Sequence, residues 1–233
     1  MNASRNALPD RRPLASRDTG WAQAVARFLA GTGVTPNRIS IASMVAAALA
    51  GLAFGMAGQA VSIWRPLFLV LAAAFCQLRL LCNLFDGMVA IEGGKRSADG
   101  AFWNEFPDRV ADMLILVGVG YGIGTPALAW AAAGFAIFTA YVRELGRGCG
   151  LPADFSGPMA KQHRMALITC ASLVSLLEPL WSGRNEILTA ALWIIAIGSA
   201  VTVLRRAWHV VSRLKAGAAL NADDDGIPDL KPD

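Results

Sequence analysis

Apolar residues come along this chain in long, nearly unbroken runs rather than as one stripe of an amphipathic surface helix. Six runs, about 39–57, 64–84, 107–124, 126–142, 165–181 and 187–204, approach the roughly 20 apolar residues that a membrane-crossing helix needs. A bilayer satisfies no backbone hydrogen bonds, so each run is predicted to be helical. Ala and Gly recur within the runs, which lets helices pack closely. The connections are short, so the pattern predicts one all-α integral membrane bundle of six transmembrane helices over residues 35–207, with no room for a second domain. Ahead of it, residues 21–30 put Trp21, Ala24, Val25, Phe28 and Leu29 on one helical face, with Arg27 on the wet side. That predicts an interfacial amphipathic helix, cut off from the first span by Gly31, Gly33 and Pro36. Residues 1–34 then form a polar, basic arm ending in this helix, and residues 208–233 form a C-terminal tail.

Composition agrees with the pattern. Residues of the AVILMFWYC set make up 55% of the 233, DEKR only 16%, and the mean hydropathy is +0.46. A soluble domain carries about 25% charged residues. Four cysteines (76, 82, 149 and 170) are too sparse for a disulfide framework and lack metal-ligand spacing, and two histidines (163 and 209) are too few for a histidine metal site. No cleavable leader is read, because the first apolar stretch begins late. Of 21 Lys and Arg, only Arg65 and Arg184 fall on one side of the predicted spans. The positive-inside rule then puts both termini in the cytoplasm, as expected for a bacterial inner-membrane protein. The basic residues lie beside apolar spans, which speaks for anionic lipid and against nucleic acid. The Asp-rich run at 223–229 lacks the bidentate Glu of a calcium loop and reads as a solvated acidic tail.

The scarce acids are placed tellingly. Asn83 and Asp86 close the second run, and Asp108 and Asp112 open the third. Acids inside spans are costly and tend to serve function. On a helix, residues three or four apart share a face, so Asn83 pairs with Asp86, and Asn104 with Asp108 and Asp112 if the third helix begins early enough. Pro107 would then fall in its first turn. Two oxygen-bearing faces on helices joined by a short loop can converge, and hard oxygen donors suit Mg²⁺ or Mn²⁺. Helix caps and snorkelling carboxylates explain one or two such acids, but not a set in register.

The segment 83–108 resembles the signature of the CDP-alcohol phosphatidyltransferase family, D-x2-D-G-x2-A-R-x8-G-x3-D-x3-D. Laid on without gaps, five of the eight marked residues match: Asp86, Gly87, Ala90, Gly100 and Asp108. Asn83 and Asn104 stand in two aspartate positions, and Ile91 stands in the arginine position. Arg96, in the same loop, could replace that arginine. A second register moves the final pair to Asp108 and Asp112 at the expense of Gly100. Thr35-Pro36-Asn37, ahead of the first span, resembles the family's approach to its first helix. Arg143, Lys161 and Arg164 resemble its basic residues around the acceptor pocket.

The resemblance implies a transferase of phospholipid biosynthesis. It would move a substituted phosphoryl group from a CDP-alcohol, in a bacterial setting CDP-diacylglycerol, to an acceptor alcohol, releasing CMP. It implies two Mg²⁺ or Mn²⁺ ions held by Asn83, Asp86, Asn104 and Asp108, with Asp112 adding charge from the next turn. Asp108 is the implied base, with Asp112 the alternative. Asn37, Asn83, Asp86, Gly87, Ala90 and Gly100 would hold the nucleotide. Arg143, Lys161 and Arg164 would bind a phosphorylated acceptor or lipid phosphate, although cytoplasmic anchoring explains these three equally well. Membrane lipids and a second copy of the chain, as a homodimer, are the implied partners. Two Asn in aspartate positions keep open a member that binds CDP-lipid without catalysis. A small transporter is the remaining alternative, and the absence of an internal repeat weighs against it.

Overall fold

The computed structural model describes residues 19–92, 98–181 and 183–224, so Arg96, the arm 1–18 and the acidic run from 225 onward lie outside the described residues. Seven α-helices make up the described chain: α1 (Gly20–Gly31), α2 (Pro36–Gln59), α3 (Trp64–Glu92), α4 (Gly100–Gly122), α5 (Pro126–Gly148), α6 (Lys161–Val174) and α7 (Glu186–Asp224). A 3₁₀ turn, Ser175–Trp181, extends α6. Among the described residues, four stretches are long and apolar enough to cross a membrane: Pro36–Gln59, Trp64–Ile91, Lys161–Trp181 and Glu186–Gly217. The chain is thus an all-helical protein with membrane-length helices. The helices α4 and α5 have the length but fall outside that group. The first half of α4 carries Glu105, Asp108, Arg109 and Asp112.

Local signals set several helix ends. Thr35 caps α2, its hydroxyl accepting from the Arg38 amide, and Pro36 sits at the first helical position, where its missing N–H costs nothing. The helix α4 starts at Gly100, earlier than the apolar run, so Pro107 lies in its interior rather than in its first turn. The early start puts Asn104 on the helix, one turn ahead of Asp108. The helix α7 continues past residue 207 to Asp224.

Packing of α2 on α4 is backbone on backbone. A Cβ built on Gly118 would lie 2.3 Å from the Gly51 carbonyl oxygen, and one on Gly58 would lie 1.8 Å from that of Gly122. No side chain larger than hydrogen fits either contact, the small-residue packing that membrane helices use in place of a hydrophobic drive. Around this seam Phe54, Leu69, Ile115, Leu116, Ile168 and Leu192 form the main buried core. The helix α1 lies against α3: Ala22 and Ala26 are buried on Leu84, Phe85 and Val89, and Trp21 meets Phe85 edge-on. Trp21, Val25 and Phe28 of α1 are exposed.

Candidate active site

The end of α3 and the start of α4 bring the motif faces together. Asn83 Nδ2 donates to Asp108 Oδ1 at 2.9 Å. Asp86, one turn beyond Asn83, is buried and accepts from the Ser40 hydroxyl of α2 at 2.9 Å. Asn104 is exposed in the wall of a cavity of about 390 Å³, and Asn83 and Asp108 line the same cavity. Gly87 is buried and Ala90 half-buried on the last turns of α3, and Gly100 opens α4. Asn37 reaches Asp99, just ahead of α4, at 3.3 Å.

Three basic side chains enter this acidic cluster. Arg79 Nη2, from α3, donates at 3.1 Å to both Asp108 Oδ1 and Asp112 Oδ1. Lys161 Nζ, at the start of α6, donates at 2.7 Å to Asn83 Oδ1 and also pairs with Asp108 Oδ2. Arg164, one turn on, pairs with Asp112 Oδ2 at 2.6 Å and donates to the Met159 carbonyl at 2.9 Å. Asp112 is buried away from the cavity, whereas Asp108 is part of its wall. Arg79 has no exposed surface, and its Nε and Nη1 find no partner among the described residues. Arg79 was legible in the sequence as an arginine inside an apolar run, one turn before Asn83 on the motif's own face, but charge placement alone did not single it out.

The rest of the cavity is basic. Six cations line it, Arg109, Arg143, Arg147, Lys161, Arg164 and Arg206, against three carboxylates, Glu105, Asp108 and Glu144. Arg143 pairs with Glu105 and Glu144 and lies over the Phe155 ring, 5.4 Å from its centroid. Arg206 is buried and donates to the Ser156 and Thr139 carbonyls, tying the 151–160 loop to α7. His209 and Asp154 add a second tie at 2.9 Å. Burial works against the Asp154 carboxylate, but the Ser156 hydrogen bonds and His209 outweigh it and hold its carboxyl below the usual carboxylate range.

The donor set can be weighed for a divalent ion. Among the described residues, no three His, Cys, Asp or Glu gather into a metal cage. One carboxylate or two, with amide oxygens beside them, is what Mg²⁺-type ions take when substrate phosphates and waters complete the shell. Asn83, Asn104 and Asp108 offer that donor chemistry in the cavity wall, and Asp86, one turn along α3 from Asn83, lies outside the lining.

No family model matches the chain. Curated relatives do. The phosphatidylinositol phosphate synthase of Streptomyces avermitilis is 28% identical over 189 residues, covering 78% of this chain and 74% of the relative. The archaetidylinositol phosphate synthase of Pyrococcus horikoshii is 24% identical over 200 residues, covering 84% and 93%. Among solved structures, the phosphatidylinositol phosphate synthase of Mycobacterium tuberculosis with CDP-DAG bound superposes with a TM-score of 0.68 at 21% identity, covering 81% of this chain and 92% of that one. The same enzyme in complex with manganese and citrate gives a TM-score of 0.67. At that identity the structural likeness establishes the fold.

Proposed function

We propose that this chain, which is similar to members of the CDP-alcohol phosphatidyltransferase family, transfers a phosphatidyl group from CDP-diacylglycerol to a phosphorylated alcohol, releasing CMP. One observation carries the reading. The two halves of the spaced motif meet, Asn83 on Asp108, in the wall of a cavity where cations outnumber carboxylates two to one. A divalent ion at this motif would draw on Asp86 and Asn104, which pair with no cation among the described residues, and would supply charge neutralisation at the pyrophosphate.

The protein's own groups do the rest. Asp108 is the one aspartate in the cavity wall among the described residues, so it takes the proton of the acceptor hydroxyl, in preference to Asp112 behind it. Asp112 anchors Arg79 and Arg164 and thereby positions Asp108. Asn37 and the small residues Gly87, Ala90 and Gly100 let the nucleotide lie close to the backbone between α2, α3 and α4. Arg143, with Arg109 and Arg147 on the same wall, binds the acceptor phosphate. Arg164 is committed to Asp112 and the Met159 carbonyl, which makes it a positioning residue rather than an acceptor ligand. Holding both reactants in one pocket supplies much of the rate. Likeness to phosphatidylinositol phosphate and archaetidylinositol phosphate synthases supports inositol phosphate as the first acceptor to try.

The six long helices form the membrane bundle, α4 and α5 included, because their polar halves face inward on the site. The termini and the site face the cytoplasm of a bacterial inner membrane, and the protein works as a homodimer.

The test is CMP release by the purified protein from CDP-diacylglycerol, with Mg²⁺ or Mn²⁺, over a panel of inositol phosphate, glycerol phosphate, serine and inositol. CMP formed with a phosphorylated acceptor is the expected result. A second reading is favoured by the cations lodged on Asp108: a member that binds CDP-lipid without turnover. Metal-dependent CDP-lipid binding with no CMP from any acceptor would establish it instead.

A further inference from the structure

Lys161 reaches the motif from across the bundle. Its ammonium takes one amide oxygen, Asn83 Oδ1 at 2.7 Å, and one carboxylate oxygen, Asp108 Oδ2. Asn83 in turn donates to the other Asp108 oxygen. A cation that collects oxygen donors from two different helices makes the contacts a coordinated metal ion would make. The charge count agrees. Asp108 and Asp112 pair with Arg79, Lys161 and Arg164, so this part of the cluster carries no surplus negative charge before any ion arrives. A signature with four aspartates would add two negative charges, and here those two positions hold Asn83 and Asn104.

We infer that the Lys161 ammonium is a resident cation standing in for one of two divalent ions, so that this chain binds a single Mg²⁺ or Mn²⁺. That ion belongs to the side of the motif the internal cations leave alone. Asp86 is hydrogen-bonded to a neutral serine rather than paired with a cation, and Asn104 is exposed in the cavity wall. One carboxylate with waters and substrate phosphates is a sufficient shell for such an ion, whereas a second dication would meet an ammonium already seated on its ligands. The inference rests on the metal-dependent reading above, but its test counts ions rather than turnover.

Mn²⁺ binding to the full-length protein in detergent, with CDP-diacylglycerol present, is followed by the electron paramagnetic resonance signal of free Mn²⁺. One tight ion per chain is expected. Lys161→Met should free an Asp108 oxygen, adding a second ion or tightening the first at least tenfold, while Lys161→Arg should keep the count at one. Two ions on the wild-type chain, or none, overturns the inference, as does Lys161→Met with count and affinity unchanged. If Lys161→Met does not fold, Asn83→Asp tests the same balance. A carboxylate added beside the fixed ammonium should tighten Mn²⁺ at least tenfold, and unchanged affinity overturns the idea. One bound ion without CMP release would defeat the proposed reaction and leave the inference standing.

Discussion

Two ionic clusters lie inside this bundle, one at each end, and they are built on different plans. At one end Arg65 of α3 pairs with the buried Glu178 of the 3₁₀ turn and also reaches the Ser175 carbonyl and the Asn185 side chain. Both Glu178 oxygens are used further. Oε1 accepts from the Ile187 amide and Oε2 from the Asn185 amide, both at 2.8 Å. Glu178 therefore caps the start of α7 from a neighbouring element and places negative charge at that helix's positive end. Arg184 closes the same end by donating to the Gly58 and Ala60 carbonyls. This cluster is a clasp, with one charge on each side. The other cluster, three basic residues with three aspartates and Asn83, opens onto a cavity and leaves two Arg79 donors unpaired among the described residues. Each cluster leaves buried guanidinium donors unpaired among the described residues, Arg65 Nε in the clasp as well as Arg79 and Arg164 in the site, so the difference lies in access. The clasp uses its carboxylate to cap α7, whereas the site turns Asn83, Asp108 and Lys161 to a cavity where a substrate can exchange with them.

Substitutions should separate the two clusters. Asp108→Asn should carry the largest effect, a fall in CMP release of about a hundredfold or more, from loss of the proton acceptor. Activity within tenfold of wild type would remove Asp108 from the chemistry. Glu178→Ala should do the reverse. It leaves Arg65 buried without its partner and strips the α7 cap, a cost of about 3–5 kcal/mol, seen as a large drop in melting temperature in detergent. CMP release per folded molecule should stay near wild type, and a loss of turnover without a loss of stability would make the clasp part of the site.

The seam between the clusters should respond more mildly. Gly118→Leu drives a side chain into the Gly51 backbone and should cost about 1–3 kcal/mol, more if the helices cannot separate. A neutral result in thermal unfolding would mean that α2 and α4 pack less closely than described.

The smallest effect concerns the loop that walls the cavity. The Asp154 carboxyl is held low in the folded chain, so its ionised form stabilises the fold above the unfolded carboxylate range, near pH 4. That stability is lost as the pH falls through the lower folded value. Asp154 is partly exposed, so the effect is small. Asp154→Asn should flatten the acid limb of the melting temperature against pH, and an unchanged acid limb would show that the Asp154 tie carries no stability.

Much of this was legible in the sequence because it is local. The six apolar runs reappear as α2 to α7, with α6 completed by the 3₁₀ turn. Thr35 and Pro36 are a cap and a first-turn proline whichever neighbours surround them. The face shared by Asn83 and Asp86 follows from helical period, as does that shared by Asn104 and Asp108 once the helix begins at Gly100. The start of α4 was misplaced because the apolar run begins later than the helix does. Hydropathy marks where lipid can lie, not where backbone hydrogen bonds start.

Other features had no local signature. The resemblance marks Lys161 as a residue of the acceptor pocket, with nothing local to tie it to Asn83 and Asp108, and Glu178 carries no signal beyond being an acid at the end of an apolar run. Their partners lie far away in the chain, Asp108 for one and Arg65 for the other. Which acid meets which base depends on how the helices are stacked, and that stacking follows from contacts such as Gly51 on Gly118, where missing side chains let two backbones touch. The helices, their caps and the two polar faces each depend on residues within a turn or two, so they can be read along the chain. The seat of the Lys161 ammonium on Asn83 and Asp108 cannot, since ion pairing between helices is a property of their packing.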